Sequence, residues 1–524
     1  MLGAQEVWRS CNLATSTRFA AAAFLLAASC HALALEPGWE KGAFMEISVR
    51  GYQDSNGDGV GDLRGLTSRL DYLKDLGIRG IWLMPVTASS DHDHGYATTD
   101  FRRVAPEYGT NADMALLLRE AHKRGIGVIM DYVVNHSSEQ HPFFQSASKN
   151  RKSVYRDWYV FADAQVAGYA SGWEVFDKNP WYAAPAGGGE YLGIFGKEMP
   201  DFNWRNPKVV HYHFSSLRFW LDMGLDGYRL DAVPHLVENN AKDWNDQPES
   251  RVLTRKMREL IQSYPGRYVV CEATAKPIDY AAADLCGSAF GFGLQYEIAK
   301  AAQGDAKAVQ AVADYYTRMP SGMATMLSNH DGFAGRRSWD QFKGDDARMR
   351  LAAASYLLAP GTPFVYYGEE LGMSGSPGQN PDGELRGPMS WGDAKPFSSA
   401  KPFRPYSSNA ATQNAQAENP LLGYYKQLLA LRNGLPAIAK GSFDNAQVKG
   451  LVVSFQRHIE NGQTVVVVLN YGEQAANVML ERLPADAGLV SEMPRTGDPA
   501  RSDAQGRAAV SIPPLSAAVY RVLP

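Results

Sequence analysis

From about residue 42 to residue 440 the chain alternates two patterns. Short apolar runs of strand length are followed by longer segments whose apolar residues recur every three or four positions. Residues 43–49 read as a strand, and Leu66, Leu70 and Leu73 then fall on one helical face before Gly77, a natural stop. Residues 78–85 form a second, mostly apolar run, as a strand buried on both faces requires. Asn111 is placed to cap a helix carrying Met114, Leu117, Leu118 and Ala121, and Gly125 ends it. A third strand covers 126–134. Phe214, Leu217, Trp220 and Leu221 mark a helix leading into 227–235, which reads Gly-Tyr-Arg-Leu-Asp-Ala-Val-Pro-His. Strand-like runs at 268–272, 323–327 and 362–366 continue the series.

Repeated strand–helix units over this length predict an α/β fold, a (β/α)8 TIM barrel. The rhythm breaks between 137 and 207, where Tyr, Trp and three successive glycines at 187–189 replace any long periodic helix. That segment reads as an inserted lobe after the third strand, dividing the barrel into 35–136 and 208–440. Beyond residue 440, runs at 448–455, 464–470 and 508–512 have no helices between them and predict a C-terminal antiparallel β-sandwich domain over 441–524.

Residues 1–34 have the order of a signal peptide. Arg18 precedes the apolar run 20–28, and Ala32-Leu33-Ala34 supplies a small-x-small cleavage site. Export to the periplasm or medium is the expectation, with a lipid anchor at Cys30 the second choice because Ala27 stands where a larger aliphatic is usual. No run is long enough to span a bilayer. Without the leader two cysteines are left, Cys271 and Cys286, as one disulfide or as two separate thiols.

Charged residues make up 21% of the chain and the net charge is −4, which excludes a basic nucleic-acid surface and a disordered acidic chain. Aromatics reach 11%, with 26 Tyr and 11 Trp, a composition suited to stacking sugar rings and also to a large core.

Four acidic residues fall at the ends of predicted strands: Asp131, Asp231, Glu272 and Asp331. Arg229 lies two before Asp231, so on a strand both side chains point to one side. Alone, that spacing describes a buried ion pair. Four carboxylates at the C-terminal ends of barrel strands, with His136 and His330 beside them, instead converge on one pocket.

These segments resemble the signatures of the α-amylase family, glycoside hydrolase family 13, in order and over nearly the whole mature chain. The matching segments are 131–136, 227–235, Glu272 and 329–331. Met199-Pro-Asp-Phe-Asn203 resembles a form between the oligo-1,6-glucosidase and neopullulanase branches, which points to the intermediate group. The resemblance implies Asp231 as nucleophile, Glu272 as general acid/base and Asp331 as transition-state stabiliser. It implies that Arg229 holds Asp231 ionised, and that Tyr96, His94, Asp93, His136, His330 and His235 line the sugar-binding subsites. The chemistry agrees. Retaining cleavage pairs an ionised carboxylate with a protonated carboxyl, and Glu272 has no cation adjacent in sequence.

Asp54, Asn56, Asp58 and Asp62 alternate along one loop as calcium ligands do, although Gly65 stands where an EF-hand has its Glu. In several branches of the family a similar loop binds Ca2+, here through Asp54, Asn56, Asp58, the Val60 carbonyl and Asp62. The segment 384–391 resembles a loop near the last strand of glucosidase-like members, with no role assigned.

Pro234 stands where starch-acting amylases usually carry Lys, so that hydrogen bond to substrate is missing. Ala232 and His235 favour α-1,4-glucan cleavage. The expectation is a monomeric α-amylase-type enzyme cutting internal α-1,4 bonds of starch or maltooligosaccharides. The rivals are an exo-acting α-glucosidase or transglucosidase, and a silent glucan-binding protein on the same scaffold.

Overall fold

The computed structural model describes residues 35–165, 168–392, 396–495 and 500–523; the proposed leader 1–34 and Cys30 lie outside them. Seven parallel strands form one sheet: β1 Phe44–Ile47, β2 Gly80–Leu83, β3 Gly127–Tyr132, β4 Gly227–Leu230, β5 Tyr268–Cys271, β6 Ala324–Thr325 and β7 Thr362–Tyr366. Their order is β6-β7-β1-β2-β3-β4-β5. The ring closes through Ala289, which bridges Cys271, and Phe290, which bridges Ala324. The sixth position of the eightfold barrel is therefore two residues wide, too short to register as a strand in the sequence.

The strands are buried throughout, which is why they read as continuous apolar runs rather than alternating ones. Trp39, Phe44, Trp82, Ile129, Tyr268, Val270, Phe290 and Phe364 share one cluster that fills the barrel interior, so it is a packed core and not a pore. Gly227 is fixed by close approach: a Cβ there would come within 1.7 Å of the Tyr268 carbonyl oxygen. β4 and β5 could not pair at this distance with a larger residue.

The helix starting near Asn111 spans Asn111–His122, but its cap is Thr110, in a reciprocal capping box with Asp113. The polar Asn111 instead receives the Val104 N–H and donates to the Arg102 carbonyl. Helix Pro207–Met223 ends at Gly224 in the left-handed conformation and feeds β4 directly.

The inserted lobe contains helix Pro142–Lys149 and the hairpin Trp181–Ala183 with Glu190–Leu192. It has its own apolar cluster, including Val160, Trp173, Trp181, Leu192 and Ile194. A backbone bridge from His136 to Asp201 ties it to the end of β3. At the C-terminus a six-stranded antiparallel sheet packs on a two-stranded one, Ala476–Leu480 with Ala508–Ile512. Val466, Val468 and Tyr520 meet Val478, Leu480 and Ile512 between them. Among the described residues no helix is long and apolar enough to cross a membrane.

Candidate active site

Asp131 on β3 and Arg229 on β4 are direct register partners, so their side chains leave neighbouring strands at the same level. The Arg229 guanidinium is the hub. Its Nη1 lies 3.0 Å from Asp131 Oδ1 and also donates to Asp231 Oδ1, while Nη2 lies 3.0 Å from Glu272 Oε1. The indole of Trp82 supports it from the barrel interior, 5.4 Å from ring centroid to guanidinium carbon. Glu272 follows the last residue of β5, and its Oε2 accepts the Ala232 N–H at 2.9 Å. Ala232 has a φ of 47°, a left-handed conformation unusual for a residue with a Cβ, directly after the candidate nucleophile.

The lone Arg–Asp pair of the sequence is thus one guanidinium facing three buried carboxyl groups. Burial pushes Asp231 well above the usual carboxylate range, Arg229 pulls it down, and Glu272 and Asp131 push it up again. Burial likewise raises Asp131 to about 6 against the pull of Arg229. One positive charge cannot balance three negative ones, so Asp131 and Asp231 each hold a proton more tightly than a free Asp does. The expectation that Arg229 simply holds Asp231 ionised left out burial and the third carboxyl. Glu272 has no cation adjacent in sequence, but Arg229 reaches it from the next strand.

Asp331 stands on the far side of the pocket, its Oδ2 3.3 Å from His330 Nε2 and its Oδ1 3.4 Å from Arg386 Nη2. Burial and Glu272 raise it to about 7, while Arg386 opposes. Tyr96 lies between the two groups: its hydroxyl is 3.0 Å from Asp131 Oδ2 and 2.6 Å from His330 Nε2, and its ring stacks on His330. His94 packs beside Tyr96, 5.6 Å between ring centroids.

Asp93 is turned toward Arg404, which holds both its oxygens at 2.7 and 2.8 Å. His136 and His235 are buried and neutral, lowered by desolvation to about 3 and about 4. Both ring nitrogens of His136, and Nδ1 of His235, have no partner.

Three members escaped the sequence reading. Glu46 on β1 contacts His330, Arg386 contacts Asp331, and Arg404 clasps Asp93. Arg386 lay inside the 384–391 segment to which no role was given. The other two carry no local signal, since their partners are hundreds of residues away. Cys271 and Cys286 form a disulfide, closing a loop next to Glu272.

The loop 54–62 is closed by its own hydrogen bonds. Asp54 accepts from the N–H groups of Asn56, Gly57 and Gly59 and from the Ser398 hydroxyl, which uses all four of its lone-pair directions. Asp58 accepts from Val60 N–H, and Asp62 from Ser55 and the helix-capping Gly65 N–H. A cation here would have to displace one of these donors. Asp201 and Glu238 differ. Both are buried, Asp201 Oδ2 and Glu238 Oε1 have no partner, and burial raises both well above the carboxylate range. Among the described residues no three His, Cys, Asp or Glu side chains cluster closely enough to form a metal site.

A (β/α)8 barrel with an arginine-centred carboxylate cluster at its C-terminal face is the architecture of a glycoside hydrolase. The α-amylase catalytic-domain description matches residues 46–441, and the chain belongs to that family, glycoside hydrolase family 13. It is 33% identical over 471 residues to the trehalose synthase/amylase TreS of Mycolicibacterium smegmatis, covering 78% of this chain and 79% of that one. It is 29% identical to the oligo-1,6-glucosidase of Parageobacillus thermoglucosidasius, covering 83% and 91%. The crystal structure of Bacillus licheniformis trehalose-6-phosphate hydrolase superposes with a TM-score of 0.77 at 26% identity, over 93% of this chain and 100% of that one.

Proposed function

We propose that this enzyme is a retaining α-glucosidase or transglucosidase that takes short α-glucosides from their non-reducing end. Asp231 attacks the anomeric carbon, Glu272 protonates the leaving oxygen and later activates the acceptor, and Asp331 steadies the oxocarbenium-like state. Asp231 and Glu272 share one guanidinium, which favours the close carboxyl spacing of retention over the wider gap that inversion needs. Glu272 Oε2 accepts the Ala232 N–H and Oε1 faces the Arg229 guanidinium, so the carboxyl must leave one of them to reach the leaving oxygen.

The observation that carries the exo reading is the Asp93–Arg404 clasp. It joins the loop after β2 to the 396–410 segment, and Arg404 also donates to the carbonyl of Arg386, which in turn holds Asp331. A chain threading past the reacting sugar would have to cross this pair. The relatives named trehalose synthase/amylase, oligo-1,6-glucosidase and trehalose-6-phosphate hydrolase support the same reading over the internal cleavage expected from Ala232 and His235. Proton NMR of the first product tests it: α-glucose released from a disaccharide supports retention by this pair, and β-glucose rejects it. Glu272→Gln should abolish turnover while leaving sugar binding intact.

Two further expectations belong to this proposal. Export is supported by the Cys271–Cys286 disulfide, because such bonds persist in oxidising compartments. A structural Ca2+ rests on the resemblance at 54–62.

A further inference from the structure

Phe176 sits where its own chemistry does not want it. Val175 and Lys178 exchange both backbone hydrogen bonds, at 2.8 and 3.0 Å, so Phe176 and Asp177 form a two-residue hairpin turn. Both are left-handed, with φ of 51° and 61°. Such turns favour Asn-Gly, and a bulky residue at the first position is strained. Burial does not offset that strain, because Phe176 is 57% exposed.

The ring is nonetheless not loose. It lies 5.6 Å from Trp244, 6.0 Å from Phe195 and 6.2 Å from His235. Trp244 stacks on His235 at 5.4 Å, and Phe195 meets the same imidazole edge-on at 5.5 Å. His235 ends the short turn that begins after Ala232, the residue whose N–H holds Glu272. The four rings therefore form a collar beside the turn that holds Glu272, with the Phe176 ring as its exposed member.

We propose that Phe176 is a specificity residue: the strained hairpin of the inserted lobe presents its ring as the platform for the second sugar, the one that leaves from or adds to the glucosyl group. The pyranose lays its apolar face on the exposed ring. This rests on the α-glucosidase reading above and names its leaving-group and acceptor subsite.

The test compares a disaccharide with α-glucosyl fluoride, whose leaving group has no ring to stack. The disaccharide is whichever of maltose, isomaltose, trehalose and sucrose the enzyme cleaves fastest. Phe176→Asn suits the turn, so it folds with an unchanged or raised Tm. The ratio of kcat/KM for the disaccharide to that for the fluoride should fall about tenfold, mainly through KM, and Phe176→Tyr should restore it. An unchanged ratio, whether both rates hold or both fall together, overturns the platform role and leaves the α-glucosidase reading standing. A wild-type enzyme that turns over neither substrate overturns the reading beneath it.

Discussion

Glu46 Oε1 lies 2.6 Å from His330 Nδ1, and both side chains are fully buried. The pair is neutral rather than ionic: burial pushes Glu46 well up and His330 well down. One consistent proton order follows. The Tyr96 hydroxyl donates to Asp131, so it accepts from His330 Nε2–H, which leaves Nδ1 as an acceptor for the Glu46 carboxylic proton. A residue on the first strand thereby fixes the tautomer of a histidine at the sugar site.

If so, Glu46→Gln, whose amide also donates to Nδ1, keeps kcat/KM within a few fold. Glu46→Leu frees the imidazole to turn and lowers kcat about 10²-fold, the scale of a 1 Å misplacement. Steady-state kinetics on one α-glucoside separates the two; equal losses would remove the tautomer argument.

Asp331 is held near 7 against 3.8 for a free Asp. A carboxyl whose folded pKa is raised binds its proton more tightly when folded, so its favourable contribution is full below about 3.8 and is lost as pH rises through about 7. Asp331→Asn should therefore raise Tm more at pH 8 than at pH 5 while abolishing activity. Thermal melts at the two pH values check the sign.

The disulfide closes a 15-residue separation beside Glu272. Cys286→Ser should cost about 3 kcal/mol of stability by restoring freedom to the unfolded chain. Activity below the melting range should fall less than stability, because β5 remains paired with β4.

After chelation, added Ca2+ should raise Tm, and Asp58→Asn should blunt that rise. No rise in any variant would leave the loop closed by its hydrogen bonds alone.

Much of the barrel was legible because buried parallel strands write themselves as apolar runs, and β7 Thr362–Tyr366 coincides with its expected bounds. β6 Ala324–Thr325 lies within the expected run 323–327, whereas the two-residue bridge at Ala289 and Phe290 was not legible, since two residues carry no periodicity. The strand-end carboxylates were visible as a set. What they touch was not: Arg229 reaching Glu272 is a cross-strand contact, and Glu46 with His330 spans 284 positions. The cap of helix Asn111–His122 fell one residue early, on Thr110, because either residue type can cap.

The central claim is that the Asp93–Arg404 clasp makes the site a pocket entered from the non-reducing end. The direct measurement is a product time course on maltoheptaose and on the same sugar blocked at its non-reducing end. The account predicts glucose or a glucosyl-transfer product from the free sugar and none from the blocked one, with release from the blocked sugar appearing only in Arg404→Ala. Rapid internal cleavage of the blocked sugar by the wild-type enzyme would contradict it and restore the endo-acting reading.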